Sequence, residues 1–493
     1  MTDPVQQVEV DESAVVSGLF GRDMIYLIFW VMQILLAAAL TPALTRVMGQ
    51  RAFGQAAAFV AMAQLLDALF GYSLYVAVQR AYGDKDEEHA RHLVALAIGL
   101  AVVSGAFAYT TGRWWCPLIG LGPFPVAMRY AVLWATMTAI TAPSLALVRS
   151  QDNLRAFVAA SFAQSIFANG LALALVAFVR ATAAEYMLGQ LVGEVVAAVI
   201  ALSIERPMLP SRAHAPRLIQ SSRFAVALVP ALIAGFVIDT SDRIVIHGDL
   251  GPKALSHYVV ARNIGGIAGI LLAAVSAVWM PRLFAVKDPD ARRRVLAESR
   301  NGLFVLVLAF VIALSAASPV LLRLWAPPSY QPTTLLLITA LIAAGMLPLA
   351  AGTVYKQTLI LTGRTRAIAA GSVMMAVLNL ILNLIFVPIF GIDGSASIAF
   401  ICYLVGALRL RWMAGDAAPP TSAGRVMFTS AGVAVCVGLA AVPVSGIGAV
   451  VRVLVTAAAG LLFLLQITML IRPALYHRLR KLLVRSLSKP RLG

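Results

Sequence analysis

The chain is short of charge and of cysteine. Only 12% of its 493 residues are charged, whereas 60% are hydrophobic, and the mean hydropathy is +0.87. This composition excludes an ordinary soluble domain. The three cysteines, Cys116, Cys402 and Cys436, lack the spacing of a metal site or of a disulfide framework. We interpret them as small core residues.

Motifs for ATP use and for metal chemistry are also missing. No Gly-Lys dipeptide occurs, which excludes a P-loop and therefore an ATP-driven cycle within this chain. No HExxH motif or paired His cluster indicates a metal, so we expect no catalytic residue, no metal and no cofactor. The strings Asp84-Lys85-Asp86 and Asp288-Pro289-Asp290 lie in loops of under about 25 residues, too short to bury a nucleotide-binding core. An enzyme is therefore the weaker class of function.

Long apolar runs dominate the chain instead. Each covers roughly 20 residues, enough to cross a hydrocarbon core about 30 Å thick as a helix. We predict an all-α integral membrane protein with about fourteen transmembrane helices. The approximate spans are 23–43, 55–79, 92–111, 127–147, 157–179, 184–204, 223–246, 256–280, 301–321, 333–355, 367–389, 392–412, 426–444 and 449–470.

Two short patterns occur twice. Gly49-Gln50-Arg51-Ala52-Phe53-Gly54 matches Gly251-Pro252-Lys253-Ala254-Leu255-Ser256, at an offset of 202 residues. The stretch 155–161 matches 366–372, at an offset of 211 residues. The offsets nearly agree, which predicts a duplicated unit of six spans, and an even number of spans makes the two halves parallel. Repeats of this kind are typical of secondary transporters, with the substrate site between the repeats.

The repeat divides the chain into six parts. These are a cytoplasmic tail (1–22), an N-lobe of spans 1 to 6 (23–204), a cytoplasmic linker (205–222), a C-lobe of spans 7 to 12 (223–412), two extra spans 13 and 14 (413–471) and a basic cytoplasmic tail (472–493).

The net charge of +17 is distributed as expected of a membrane protein rather than of a nucleic-acid-binding protein. About 29 of the 39 Lys and Arg residues fall in the tails and in the loops on one side of the predicted spans. The positive-inside rule then places both termini in the cytoplasm. We expect the basic tail to contact anionic membrane lipids and expect no nucleic acid partner.

Four basic residues within or near the spans are candidates for substrate binding. Arg262 lies deep in the eighth span, and a substrate contact competes with pairing to an acid of the seventh span. Arg243 can pair with Asp239 at spacing i,i+4 in the seventh span. Arg129 can instead snorkel to the outer interface. Lys356 can instead anchor the cytoplasmic end of the tenth span.

Acids and amides inside the spans are candidates for ion coupling or for lining a cavity. A buried hydrogen bond between helices is the alternative at each position. They are Asp67 in the second span, Glu194 in the sixth, Asp239 in the seventh, and Asn379 and Asn383 in the eleventh.

Several of these segments together resemble polysaccharide flippases of the Wzx type. These are polysaccharide-transport members of the multidrug/oligosaccharidyl-lipid/polysaccharide exporter superfamily. The resemblance covers about residues 20–412, and fourteen spans suit it. It rests on order and spacing of Thr45 to Gly54, Asp242-Arg243, Ala254 to Arg262, Tyr355 to Arg366, Asn379, Pro388 and Gly391 to Ala396.

The resemblance implies a carrier that turns an undecaprenyl-diphosphate-linked oligosaccharide from the cytoplasmic to the periplasmic leaflet, as in O-antigen or exopolysaccharide synthesis. It also implies two six-helix lobes around an alternately open cavity, with a polysaccharide polymerase and glycosyltransferases as pathway partners. The related lipid II flippases carry inward Arg residues in the first span, and this chain has none between Asp23 and Arg46. A multidrug cation antiporter of the same superfamily and a membrane-embedded glycosyltransferase remain as alternatives.

Overall fold

The computed structural model describes residues 22–210, 212–273, 289–419 and 423–471, with side chains for most of the residues from 39 onward. Every regular element in these ranges is a helix, in agreement with the predicted all-α class. The two predicted tails lie outside the described residues, except for Arg22. The last part of the predicted eighth span also lies outside the described residues. So does Asp288, the first residue of the string Asp288-Pro289-Asp290.

The helices are grouped under the names of the two lobes that the sequence predicts, and helices α1 to α8 make up the N-lobe. They are α1 (Arg22–Phe70), α2 (Leu74–Gly83), α3 (Glu87–Thr110), α4 (Gly112–Leu118), α5 (Val126–Ser150), α6 (Leu154–Phe162), α7 (Ala168–Phe178) and α8 (Ala183–Glu205). A π-helical turn, Ala163–Phe167, joins α6 to α7. After a short 3-10 turn at Arg212–His214, the linker helix α9 (Ala215–Val226) leads into the C-lobe.

Helices α10 to α13 form the C-lobe, and two more helices follow it. The C-lobe helices are α10 (Val229–Gly265), α11 (Pro289–Trp325), α12 (Leu336–Leu361) and α13 (Thr365–Ala414). The last two are α14 (Ala423–Ala441) and α15 (Ile447–Ile471). Within the described ranges, ten segments are long and apolar enough to cross a membrane. The predicted membrane architecture is confirmed, whereas the count of fourteen spans stays a prediction.

Three of the four longest helices are each broken by one glycine. Gly49 in α1 has φ 71° and ψ 173°, and Gly251 in α10 has φ 81° and ψ 172°. Gly391 breaks α13 at φ 64°. A positive φ is readily adopted only by glycine, so these residues allow one helix to end and the next to begin without a loop. Gly49 and Gly251 are the first residues of the two matching sequence patterns, and the backbone has nearly the same conformation at both.

The two lobes touch at this glycine end. A Cβ placed on Gly54 would lie only 1.7 Å from the Pro252 carbonyl oxygen, so the second halves of α1 and α10 cross in backbone contact. The Gly120 and Gly248 backbones also meet, since a Cβ on Gly120 would lie 2.8 Å from the Gly248 Cα. These contacts close the two lobes against each other at this end.

Hydrogen bonds reinforce this seal. The Arg46 guanidinium donates to the Leu324 carbonyl at 2.9 Å, and the Thr45 hydroxyl donates to the Trp325 carbonyl at 2.9 Å. The Gln50 amide donates to the Ser329 carbonyl at 2.5 Å. Together these contacts hold the end of the first span against the loop after α11.

The two extra helices are attached to the C-lobe by a buried arginine. Arg452 of α15 is 5% exposed, and its guanidinium donates to the carbonyls of Leu439, Val442 and Ser315. These acceptors include the free carbonyls at the end of α14, which a cation stabilises. Arg452 thereby ties α14 and α15 to α11.

Candidate functional site

A cavity of about 820 Å³ lies between the two lobes. Its wall in the N-lobe carries neutral polar and aromatic side chains, namely Gln64, Trp134, Gln164, Ser165, Asn169 and Tyr186. Its wall in the C-lobe carries charge, in the side chains Asp239, Arg243, Arg262, Asn263 and Tyr403.

Arg262 in the C-lobe wall is held by an ion pair. Its Nη1 lies 3.2 Å from Asp242 Oδ2, and the two side chains are only 14% and 6% exposed. The same guanidinium donates to the Tyr258 hydroxyl at 3.4 Å and to the Asp239 carbonyl. The sequence left a substrate contact and an ion pair as alternatives for Arg262. In the structure this residue lines the cavity and is also paired.

Both carboxylate oxygens of Asp242 accept hydrogen bonds from neighbouring groups. Its Oδ2 accepts from the Tyr258 hydroxyl as well as from Arg262, and its Oδ1 accepts from the Arg243 backbone N–H at 2.8 Å. A buried carboxylate with this many donors has its desolvation compensated. Asp242 therefore fixes the position of Arg262 in the wall.

Arg243 differs from Arg262. Its side chain lines the cavity, its Nε has no hydrogen-bond partner among the described residues, and the Asp242 and Asp239 carboxylates interact with it electrostatically. The i,i+4 pair with Asp239 that the sequence allowed is not formed. The Asp239 carboxylate instead accepts from the Tyr403 hydroxyl at 3.5 Å. The C-lobe wall thus presents Arg262, which is fixed by an ion pair, and Arg243, whose Nε is free to donate.

The N-lobe wall is backed by a buried acid. Glu194 is 2% exposed, and the Gln164 amide donates to its two carboxylate oxygens at 2.9 and 3.1 Å. Gln164 lies in the π-helical turn, where one extra residue rotates the following helix. This turn aims Gln164 and Asn169 at the same cavity, and Asn169 accepts from the Gln190 amide at 3.0 Å.

Asp67 belongs to the same region. Its carboxylate lies close enough to Glu194 for the two to interact electrostatically, and it is half-buried. Neither carboxylate is among the residues that line the cavity, whereas Gln64, one turn before Asp67, is. The structure therefore brings the two predicted acids together behind the N-lobe wall.

Asn379 and Asn383 lie in a chain of hydrogen bonds inside the C-lobe. The Ser241 hydroxyl contacts Asn379 Oδ1 at 3.5 Å, the Asn383 amide donates to the same oxygen at 3.2 Å, and Ser395 donates to Asn383 Oδ1 at 2.9 Å. Both amides are buried, at 3% and 1% exposure. Their geometry is that of hydrogen bonds that join α10 to the two halves of α13.

Arg129 and Lys356 are not among the residues that line the cavity. Arg129 is exposed, and its Nε donates to the Phe124 carbonyl at 3.3 Å. Lys356 is exposed on α12. A substrate contact and an interfacial role for these two residues both stay predictions.

Sequence reasoning missed most of the N-lobe wall. Gln164, Asn169, Trp134 and Tyr186 are neutral, and a search for charges within spans passes over them. Their signal lies in spacing, because Gln164 and Asn169 are five residues apart, which places them on one face only when the helix contains a π turn.

A family model described as polysaccharide biosynthesis protein matches residues 20–287, more than half of the chain. The chain belongs to this family. The family resemblance found in the sequence is thereby confirmed. No curated protein sequence matches the chain significantly.

Solved structures share the fold at low sequence identity. The lipid II flippase MurJ in an inward closed conformation has a TM-score of 0.69 and 13% identity, over 92% of this chain and 100% of MurJ. An inward-facing multidrug resistance MATE family transporter has a TM-score of 0.58 and 14% identity, over 82% and 95% of the two chains. A point mutant of the Vibrio cholerae MATE transporter VcmN has a TM-score of 0.54 and 14% identity, over 82% and 96%. These likenesses concern the fold.

Proposed function

We propose that the chain is a flippase that moves an undecaprenyl-diphosphate-linked oligosaccharide from the cytoplasmic to the periplasmic leaflet of the bacterial inner membrane. The family of the chain and the placement of charge in its cavity support this proposal. The protein acts as a carrier and catalyses no covalent step.

The two guanidinium groups of Arg243 and Arg262 in the cavity wall are the observation that carries the proposal. A cation inside an apolar membrane protein is costly unless something pairs with it. An arginine fork matches the oxygens of a phosphate and forms charge-assisted hydrogen bonds with them. A diphosphate that enters the cavity completes the coordination of Arg243 and finds a second guanidinium at Arg262.

Arg262 serves this site through its fixed position. Asp242, Tyr258 and the Asp239 carbonyl hold its guanidinium in the wall, so little side-chain entropy is lost when a phosphate binds. An exporter of organic cations requires the opposite charge in the cavity wall, namely free carboxylates that face the cavity. Asp239 is the acid in the described lining, and two guanidinium groups accompany it.

The N-lobe wall suits the sugar. Gln64, Gln164 and Asn169 offer amide donors and acceptors, and Trp134 and Tyr186 offer flat apolar faces. Neutral groups of this kind fix the orientation of a polar ligand without demanding a charge on it. We therefore assign the sugar to the N-lobe wall and the diphosphate to the C-lobe wall.

Coupling to an ion gradient is assigned to the acids behind the N-lobe wall. The chain has no P-loop, so uphill transport requires another source of energy. Asp67 and Glu194 interact behind Gln64 and Gln164, which face the substrate. A cation or proton that binds this pair alters the wall that contacts the sugar.

Deletion of the gene in its native host tests the proposal. We expect loss of the extracellular polysaccharide while lipid-linked units accumulate in the cytoplasmic leaflet. Normal polysaccharide with increased drug sensitivity would instead indicate the cation antiporter. Absence of the lipid-linked units themselves would indicate the glycosyltransferase.

A further inference from the structure

A second polar cluster lies at the other end of the N-lobe, in the region that the charge distribution assigns to the cytoplasm. Glu88 and His92 come from the first turns of α3, and His214 comes from the 3-10 turn before the linker helix α9. One ligand atom from each lies within 4.8 Å of the other two. Sequence spacing does not indicate this cluster, because His214 is remote from the other two residues along the chain.

We propose that Glu88, His92 and His214 bind a divalent transition metal ion, with Zn²⁺ as the best fit. Two imidazole nitrogens and one carboxylate oxygen form a ligand set that zinc favours. Three protein ligands leave a fourth position for water.

The distances are close to those of a bound ion. His214 Nε2 lies 3.8 Å from Glu88 Oε1. Two ligands of a tetrahedral zinc ion lie about 3.4 Å apart, given metal–ligand bonds of about 2.1 Å. The rings of His92 and His214 have centroids 4.1 Å apart. Small rotations of these side chains are enough to close the site.

His92 supplies an independent reason to place a ligand here. Its side chain is 2% exposed, and its Nδ1 has no hydrogen-bond partner among the described residues. A buried ring nitrogen without a partner costs free energy that coordination recovers. The Glu88 side chain is 63% exposed, which leaves a path for the ion from the aqueous side.

The surroundings hold the two elements together without the metal. The His89 ring contacts the Ser221 hydroxyl of α9 at 2.9 Å, and Arg217 of α9 pairs with Asp86 at 3.4 Å. Leu218 and Ala225 of α9 are buried against α2 and α3. A bound ion would add a further connection between α3 and the linker that leads to the C-lobe.

Zinc binding to the purified, chelator-treated protein without an affinity tag tests this site. Competition with a chromophoric chelator gives the affinity and the stoichiometry. We expect one Zn²⁺ per chain for the wild type, and an affinity lower by about tenfold or more for Glu88→Gln and for His214→Gln. Both side chains are at least one-third exposed, so neither change is expected to prevent folding.

Glu87→Gln is the matched control, since Glu87 is the adjacent residue and pairs with Arg91 at 2.7 Å. It should bind zinc as the wild type does. Thermal unfolding gives a second measurement: Zn²⁺ should raise the Tm of the wild type and of Glu87→Gln but not that of the other two variants. Failure of the wild type to bind, or equal binding by all four proteins, would overturn the proposal.

Discussion

The two walls of the cavity differ in where they keep their charge. The C-lobe exposes its charged groups to the cavity, and Asp242 holds one of its two guanidinium groups in place. The N-lobe keeps its acids behind neutral amides, with Glu194 bonded to Gln164. The two walls therefore differ in chemistry, although the backbone has nearly the same conformation at the glycine breaks of α1 and α10.

The two walls face one cavity because the lobes are in contact, and Gly54 allows that contact. Gly54→Ala places a Cβ within 1.7 Å of the Pro252 carbonyl oxygen, so this contact between the lobes cannot form. We expect loss of most transport, and loss of a disulfide engineered between Gln50→Cys and Ser329→Cys.

Gly99→Ala is the control for Gly54→Ala, because a Cβ on Gly99 meets no atom within 4 Å. It should retain both transport and the engineered disulfide. Equal cross-linking in the Gly54 and Gly99 variants would contradict the assigned role of the lobe contact.

The second largest effect is expected at Arg262. Arg262→Ala leaves the buried Asp242 carboxylate without its cation, and breaking a buried pair costs about 3–5 kcal/mol. The amount of folded protein in the membrane should fall. Combining it with Asp242→Asn should restore the abundance but not the transport, as measured by immunoblot and by polymer export. Restored export in the double variant would remove Arg262 from the substrate site.

Variants of Arg243 should lose transport while their abundance in the membrane stays normal. Arg243→Gln removes a cation whose Nε has no hydrogen-bond partner among the described residues, while Asp242 keeps its ion pair with Arg262, so the abundance should stay normal. Transport should fall about tenfold to hundredfold, because a charge-assisted contact contributes about 1.5–3 kcal/mol of free energy. Arg243→Lys should retain part of the activity, since it keeps the charge without the fork. Arg129→Gln, which changes an arginine outside the cavity lining, is the matched control and should transport normally.

A smaller effect is expected in the N-lobe. Asp67→Asn removes one charge of the acid pair at nearly constant size. We expect transport in vesicles to remain measurable but to lose its response to an imposed proton or sodium gradient. A response identical to that of the wild type would make Asp67 a structural residue and leave the N-lobe wall without a coupling role.

The sequence was sufficient for the fold class, and the pattern it repeats coincides with two of the glycine breaks. Apolar runs of membrane length predict helices, and the repeated pattern that begins at Gly49 and Gly251 marks the two breaks with matching backbone conformation. Both depend on local chemistry, which a single sequence records.

The site could be predicted only in part, because side-chain direction depends on packing. The i,i+4 spacing allows Asp239 to pair with Arg243, yet Arg243 points into the cavity and the buried pair joins Asp242 to Arg262. Likewise Glu194 is recognisable as an acid within a span, but its partner Gln164 is set by a π turn that shifts the register of the helix. Such choices arise between helices that are distant in sequence.

Binding of two lipids to the purified protein tests the division of labour between the walls. One is an isoprenyl diphosphate without sugar, and the other is the same lipid with an oligosaccharide attached. The variants are Arg243→Gln in the C-lobe wall and Gln64→Leu in the N-lobe wall. We predict that Arg243→Gln weakens the binding of both lipids by the same factor, whereas Gln64→Leu weakens only that of the sugar-bearing lipid, by up to about tenfold. Wild-type affinity of Arg243→Gln for both lipids would contradict the assignment of the diphosphate to the C-lobe wall.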